Sequence, residues 1–330
     1  MTVENFAAIP LVDLGPLFDP TEQGLDQLAA EIGRVYSTVG FGYIVNHGID
    51  PALVEGVFAA SARFHALSHQ EKMRLEINEH HRGFIPLNTS TDTTTKLENV
   101  SKPNQSESFM MMHQRAADDP DVQAGLFLAG PNQWPAGLPG FREAVTAYHD
   151  ALAELGHKLV GVIAKALNSA AGDLEPFFAR PTTFLRLLYY PPQPPQSPDD
   201  LYGSAPHTDY GFITILAQDQ VGGLQVRNRS GQWIDAPFIP GAFVVNVGDM
   251  LHRWSNGYFI STPHRVINRS GRARYSCPFF YDPHINTTIA PLPGCVAADT
   301  SARFEPLVYG DFLRAELMAN HDQHQARAAK

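Results

Sequence analysis

The chain has few cysteines, no long apolar run and no surplus of positive charge, and each deficit removes a class of function. Cys277 and Cys295 are the only cysteines among 330 residues, so no disulfide framework is expected. Acidic residues outnumber basic ones 34 to 24, a net charge of −10, which argues against a nucleic-acid surface. No uninterrupted apolar stretch approaches the roughly 18 residues needed to span a bilayer, so no membrane partner is expected. The start, MTVENFAAIP, lacks a basic segment followed by an apolar one; no signal peptide is visible and a cytoplasmic location is expected. With 44% hydrophobic residues the chain can bury a full core, as one large domain or two fused lobes.

Chemistry-bearing residues concentrate between Ala205 and Phe280. His207 and Asp209 are two apart in a segment rich in Thr, Ile and Phe, and on a strand that spacing puts both side chains on one face. His264 follows after several further strand-like runs. Two imidazoles and one carboxylate on one side of an ion form a facial triad with open coordination positions, the arrangement of non-haem Fe(II) oxygenases. Zinc also accepts two His and one Asp, and the triad alone leaves that open. Arg274 and Ser276 are again two apart, in ARYSCPFF. A planar guanidinium fork beside a hydroxyl suits a carboxylate. A dicarboxylate keto acid that chelates iron at one end needs such an anchor at the other, whereas a hydrolytic zinc site has no use for it.

These segments, HTDYG, GLQV, NVGDM, RWSNG, STPHRV and RYSCPFF, together with IPLVDL and GFGYIVNHGI near the start, resemble the isopenicillin N synthase-like branch of the Fe(II)- and 2-oxoglutarate-dependent oxygenases. The resemblance spans nearly the whole chain. It implies a mainly β fold with flanking helices around a double-stranded β-helix (jelly-roll) core, with iron held by His207, Asp209 and His264. It also implies that Arg274 and Ser276 bind the distal carboxylate of 2-oxoglutarate and that Tyr190, just before a Pro pair, reaches the same molecule. Plant members often carry Asn two places before that tyrosine; here the residue is Leu188. The expected reaction consumes 2-oxoglutarate and O2, with ascorbate as a candidate reductant. It releases succinate and CO2 while a C–H bond of a small molecule is hydroxylated, desaturated or closed into a ring. Alternatives on the same fold are an oxidase that does without 2-oxoglutarate, an ethylene-forming type of enzyme, and a non-catalytic ligand-binding jelly roll.

Along the chain, four regions are expected to make one compact unit. Residues 1–125 complete the core and cover the pocket, 126–181 carry a connector and a long helix, 182–285 form the catalytic jelly roll, and 286–330 end in a helix and a frayed tail. Leu25, Leu28, Ile32 and Tyr36 keep helical spacing. Pro51 opens a second helix, and Ser68 with Glu71 forms a capping box for a short third one. GFGYIVNHG alternates like a strand. Phe141 to Leu167 carries the longest helical pattern, and Thr182 to Pro192 reads as a strand entering the core. Gly248-Asp249 reads as a tight turn, with Asp249 and Asn246 supporting the site. His47, His149, His157 and His252 read as structural. The polar tract from Asn88 to Pro103 has a linker's composition, whereas the resemblance places it over the pocket mouth. Candidate substrate contacts are Arg82, Met110, Met112, Tyr210, Phe212 and Phe280; for Arg82 a structural ion pair, and for the methionines core packing, are equally open readings. The prime substrate and the oligomeric state are not legible.

Overall fold

The structure, a computed structural model, describes residues 5–93, 95, 97, 100–297 and 300–322. The tail expected to fray starts at His321, but His321 is ordered, in an isolated antiparallel bridge with Ser90; the rest of the tail from 323 on, and four positions of the polar tract, lie outside the described residues. Among the described residues twelve strands make the two main sheets, and Thr288–Ile289 pairs with Leu307–Val308 in a separate two-stranded ribbon. In chain order the twelve are β1 Leu11–Asp13, β2 Phe41–Val45, β3 Gly83–Ile85, β4 Glu107–Met112, β5 Thr182–Tyr190, β6 Ser204–His207, β7 Ile213–Gln218, β8 Leu224–Arg227, β9 Trp233–Asp235, β10 Phe243–Val247, β11 His264–Val266 and β12 Arg274–Asp282. The larger sheet runs β1-β2-β10-β7-β12-β5-β4-β3 and the smaller β6-β11-β8-β9, so the two stay open rather than closing into one barrel. Strands from residues 11–112 and from 182–282 hydrogen-bond in the same large sheet, which crosses the regional boundaries drawn from sequence.

Among the described residues seven α-helices accompany the sheets: α1 Glu22–Thr38, α2 Pro51–His65, α3 His69–Met73, α4 Pro120–Gln123, α5 Phe141–Ala166, α6 Asp249–Trp254 and α7 Tyr309–Asn320. Their starts follow from local chemistry. Thr21 accepts from the Gly24 amide, Asp50 from Ala52 ahead of Pro51, and Ser68 and Glu71 form the reciprocal capping box. Among the described residues no helix is long and apolar enough to cross a membrane.

The period of two divides the large sheet into a structural and a chemical face. Leu185, Leu187, Ile213, Ile215, Val245 and Phe279 belong to the main core with Val145, Leu152 and Leu159 of α5 and Val57 and Phe64 of α2. The alternate residues, Leu188, Tyr190 and Val244, join Leu224, Val226 and Val266 of the small sheet in a second core. A strand covered on both sides loses its polar alternation. That is why β2 is buried at four of its five positions rather than alternating between core and solvent as its sequence suggested.

Candidate active site

His207 ends β6 and His264 opens β11; the two residues face each other directly in the antiparallel pair. Asp209 lies beyond the end of β6, in the turn before β7, so strand periodicity does not bring it to the histidines. The turn is held from below by α6. The backbone amides of Asp249 and Met250 donate to the carbonyls of Asp209 and Gly211, both at 2.8 Å. Gly248-Asp249 is therefore the start of a helix rather than a tight turn between strands. The glycine of HTDYG is required here because a Cβ on Gly211 would overlap the Asp282 carboxylate.

The three side chains present one ligand atom each to a common point. His207 Nε2 and His264 Nε2 both lie 3.7 Å from Asp209 Oδ1, and all three ligand atoms fall within 4.8 Å of one another. The remaining atoms are occupied. His207 Nδ1 pairs with the Ala205 carbonyl at 2.7 Å and His264 Nδ1 with that of Thr262 at 3.3 Å, which places the proton on Nδ1 and the lone pair on Nε2. Asp209 Oδ2 accepts from Thr214 Oγ1 at 2.5 Å and Asn246 Nδ2 at 2.7 Å, leaving Oδ1 free. Burial by itself would raise the Asp209 carboxyl, but the two imidazoles, Asn246 and Thr214 outweigh it and hold its pKa below the ordinary value. Burial, then the neighbouring His207, push the His264 pKa down to about 4, so its imidazole is neutral at physiological pH, the form a metal needs. The donor set fits a divalent iron. Replacing Asn246 with Ala removes one of the two donors that orient Asp209; we expect Fe(II) affinity to fall about 10–100-fold, read by anaerobic metal titration.

Two cavities meet at this point. The inner one, of about 70 Å³, lies between the sheets and contains Tyr190, Leu188, Arg274 and Ser276. Arg274 is fully buried, donates from Nε to the Gly222 carbonyl, from one terminal nitrogen to Ser276 Oγ and from the other to Gln218 Oε1, and lies 4.6 Å over the Tyr190 ring. Three of its five N–H donors are thereby used, and one on each terminal nitrogen remains for an acceptor. The register of β12 on β5 sets Arg274 against Tyr190 and Ser276 against Leu188, so these residues form one end of a ladder.

The outer chamber, of about 120 Å³, contains Met110, Tyr210 and Phe280 along with His207 and Asp209. Three other candidates lie elsewhere. Arg82 is buried beside a separate cavity, where its guanidinium donates to the carbonyls of His80, Leu128 and His113; it ties loops together instead of facing the chamber. Met112 lines that same separate cavity. Phe212 faces the helices, packed on Phe178 and Trp254, because the turn after Tyr210 reverses the face. Sequence reasoning missed Arg186, which lines both cavities, and Ser90, Asn104, Asn320 and His321, which line the outer chamber. A lone charge in the apolar run TTFLRLLYY was the available signal for Arg186. The last helix was expected from sequence, but nothing there marked α7 as reaching the chamber, where its Asn320 carbonyl accepts from the Thr91 amide and its Asn320 Nδ2 donates to Tyr210 Oη.

Asp282, also on the chamber wall, accepts from the Phe212 amide and from Tyr309 Oη, both at 2.7 Å. Burial raises its carboxyl pKa to about 7 despite those two donors. A carboxyl raised in the folded state binds its proton more tightly there than when unfolded, so stability is lost as pH rises from about 4 to about 7. Asp282→Asn should remove that loss: the metal-free variant is expected to be more stable than wild type at pH 8 by on the order of 1–2 kcal/mol, with no such advantage at pH 4, by denaturant titration at both pH values.

Fold and donor set together define a class, the non-haem Fe(II) oxygenases with a jelly-roll core. The model of the 2OG-Fe(II) oxygenase superfamily matches residues 181–283, and that of the non-haem dioxygenase in morphine synthesis N-terminal region matches residues 9–137. The 2-oxoglutarate-Fe(II) type oxidoreductase hxnY of Emericella nidulans is 34% identical over 97% of this chain and 92% of its own. A homoarginine-6-hydroxylase of Glycine max is 32% identical over 96% and 98%. A full-length Neurospora crassa protein solved with alpha-ketoglutarate and thymine superposes with a TM-score of 0.84 at 30% identity, over 96% of this chain and 98% of that one. The chain belongs to the 2OG-Fe(II) oxygenase superfamily. Its cofactors are Fe(II) and 2-oxoglutarate, with O2 as cosubstrate.

Proposed function

We propose that this oxygenase oxidises a C–H bond of a small molecule held in the outer chamber, with Fe(II) on His207, Asp209 and His264 and 2-oxoglutarate in the inner cavity. The observation that carries the reading is that His207 and Asp209 stand on the wall common to both cavities. When bound, Fe(II), 2-oxoglutarate and O2 supply the oxidising power, with release of succinate and CO2. The chain's part is placement. Arg274 and Ser276 would fix the far carboxylate, so that the keto end lies toward the triad, while Tyr190 supports the guanidinium face. Loop 88–93 and the end of α7 would keep bulk water from the chamber; their contacts include Thr93 to Asn320 Oδ1 at 2.9 Å. The small-molecule class is supported by the chamber's volume and by the thymine and homoarginine of the relatives' names. The test is succinate formation from 2-oxoglutarate by purified protein. Succinate should form with Fe(II) and O2 and stop when iron is chelated; 2-oxoglutarate consumption indifferent to iron would overturn the reading.

A further inference from the structure

Arg186 is the one charged residue of β5, and it stands on the strand's chemical face between Phe184 and Leu188. Its Nε donates to Ser108 Oγ at 2.8 Å. Among the described residues its two terminal nitrogens have no hydrogen-bonding partner, and no carboxylate lies within ion-pair distance, although the residue is only partly exposed and borders both cavities. Burial disfavours its charge, opposed by Tyr190, Asp92 and Tyr210 at longer range. Asp92, also on the chamber wall, is engaged with Asn104 Nδ2 at 3.0 Å. A guanidinium keeps its charge, so a fork turned into a cavity without a counter-ion is a binding site for one. The fork's surroundings restrict what the anion is attached to. Phe184 and Phe280 meet edge to face with ring centroids 6.3 Å apart, and Met110 and the Tyr210 ring add apolar wall. A chamber of about 120 Å³ has the scale of one ring, since an engineered cavity of about 150 Å³ holds benzene.

Resting on the function proposed above, we propose that the prime substrate is a small ring-bearing carboxylate. Its carboxylate is taken bidentately by the terminal nitrogens of Arg186, and its ring lies along Phe280 toward the triad. Arg186 then determines substrate class, while Arg274 determines the cosubstrate. Because Arg186 also borders the inner cavity, the competing role is a contact with the near carboxylate of 2-oxoglutarate.

The test uses anaerobic protein loaded with Fe(II) and 2-oxoglutarate, titrated with benzoate and separately with benzamide while the visible charge-transfer band is followed. Benzoate should shift the band saturably and benzamide should not. Arg186→Gln should weaken benzoate by about 30-fold or more while the Kd for 2-oxoglutarate stays within about two-fold, because only the prime substrate loses its charge-assisted pair. Arg186→Lys, which keeps the charge and loses the fork, should fall between. Equal responses to benzoate and benzamide, or none to either, would overturn the substrate class and leave the oxygenase reading standing. A parallel loss of 2-oxoglutarate affinity in Arg186→Gln would place the fork on the cosubstrate and overturn the proposal. A wild-type protein with no band removes the oxygenase reading itself, and this inference with it.

Discussion

His207→Ala should lose stoichiometric Fe(II) binding, with affinity down by more than the roughly 100-fold upper range seen for outer hydrogen-bond partners, and turnover should become undetectable. Two of three donors would remain, His264 Nε2 and Asp209 Oδ1, and two donors cannot hold a facial site against hydrated competitors. The fold should survive, because the His207 side chain is partly exposed and the flanking core rests on Ala205, Val226 and Val266. Anaerobic calorimetry with Fe(II), paired with a thermal melt of the metal-free proteins, separates the two effects. Retained one-to-one iron binding in the variant would contradict the assignment of the triad.

Arg274→Ala is expected to raise the Kd for 2-oxoglutarate by about 100-fold or more, since removing one partner of an enclosed charge pair costs several kcal/mol. Iron binding should persist, which distinguishes loss of the anchor from loss of the fold. A stability cost of roughly 2–4 kcal/mol should accompany it: the substitution vacates the space beneath Tyr190 and strands the Gly222 carbonyl and Gln218 Oε1. Ser276→Ala tests the smaller half of the anchor. Its hydroxyl accepts from Arg274 and still has a proton to donate, so a weakening of about five- to ten-fold is expected, the worth of one hydrogen bond. Titration of 2-oxoglutarate into iron-loaded proteins reads both; an unchanged Kd in Arg274→Ala would contradict the anchor.

The reach of the sequence follows from how local each determinant is. Arg274 and Ser276 share a face because β12 is one unbroken strand, and spacing alone conveys that. The same argument brought His207 and Asp209 together for an incomplete reason, although their side chains do converge. β6 ends at His207, and Asp209 is positioned by α6, Thr214 and Asn246, which come from segments a periodicity argument never joins. Phe212 was misplaced by that same turn. Arg82 advertised a charge, but its partners are the carbonyls of His80, Leu128 and His113, brought together only by loop packing. The pairing of Tyr190 with Arg274 depends on strand register, which is a property of the sheet. α7 reaches the chamber through contacts with loop 88–93 that span more than 200 residues of chain, so its Asn320 and His321 carried no local sign of their position.

The most direct test of the central claim is an anaerobic titration of the Fe(II)-loaded protein with 2-oxoglutarate, followed in the visible range. A weak metal-to-ligand charge-transfer band saturating at one equivalent is the predicted result, because it requires iron on the triad and the keto acid on the iron at the same time. Iron-loaded protein that develops no band would contradict the pairing of triad and anchor.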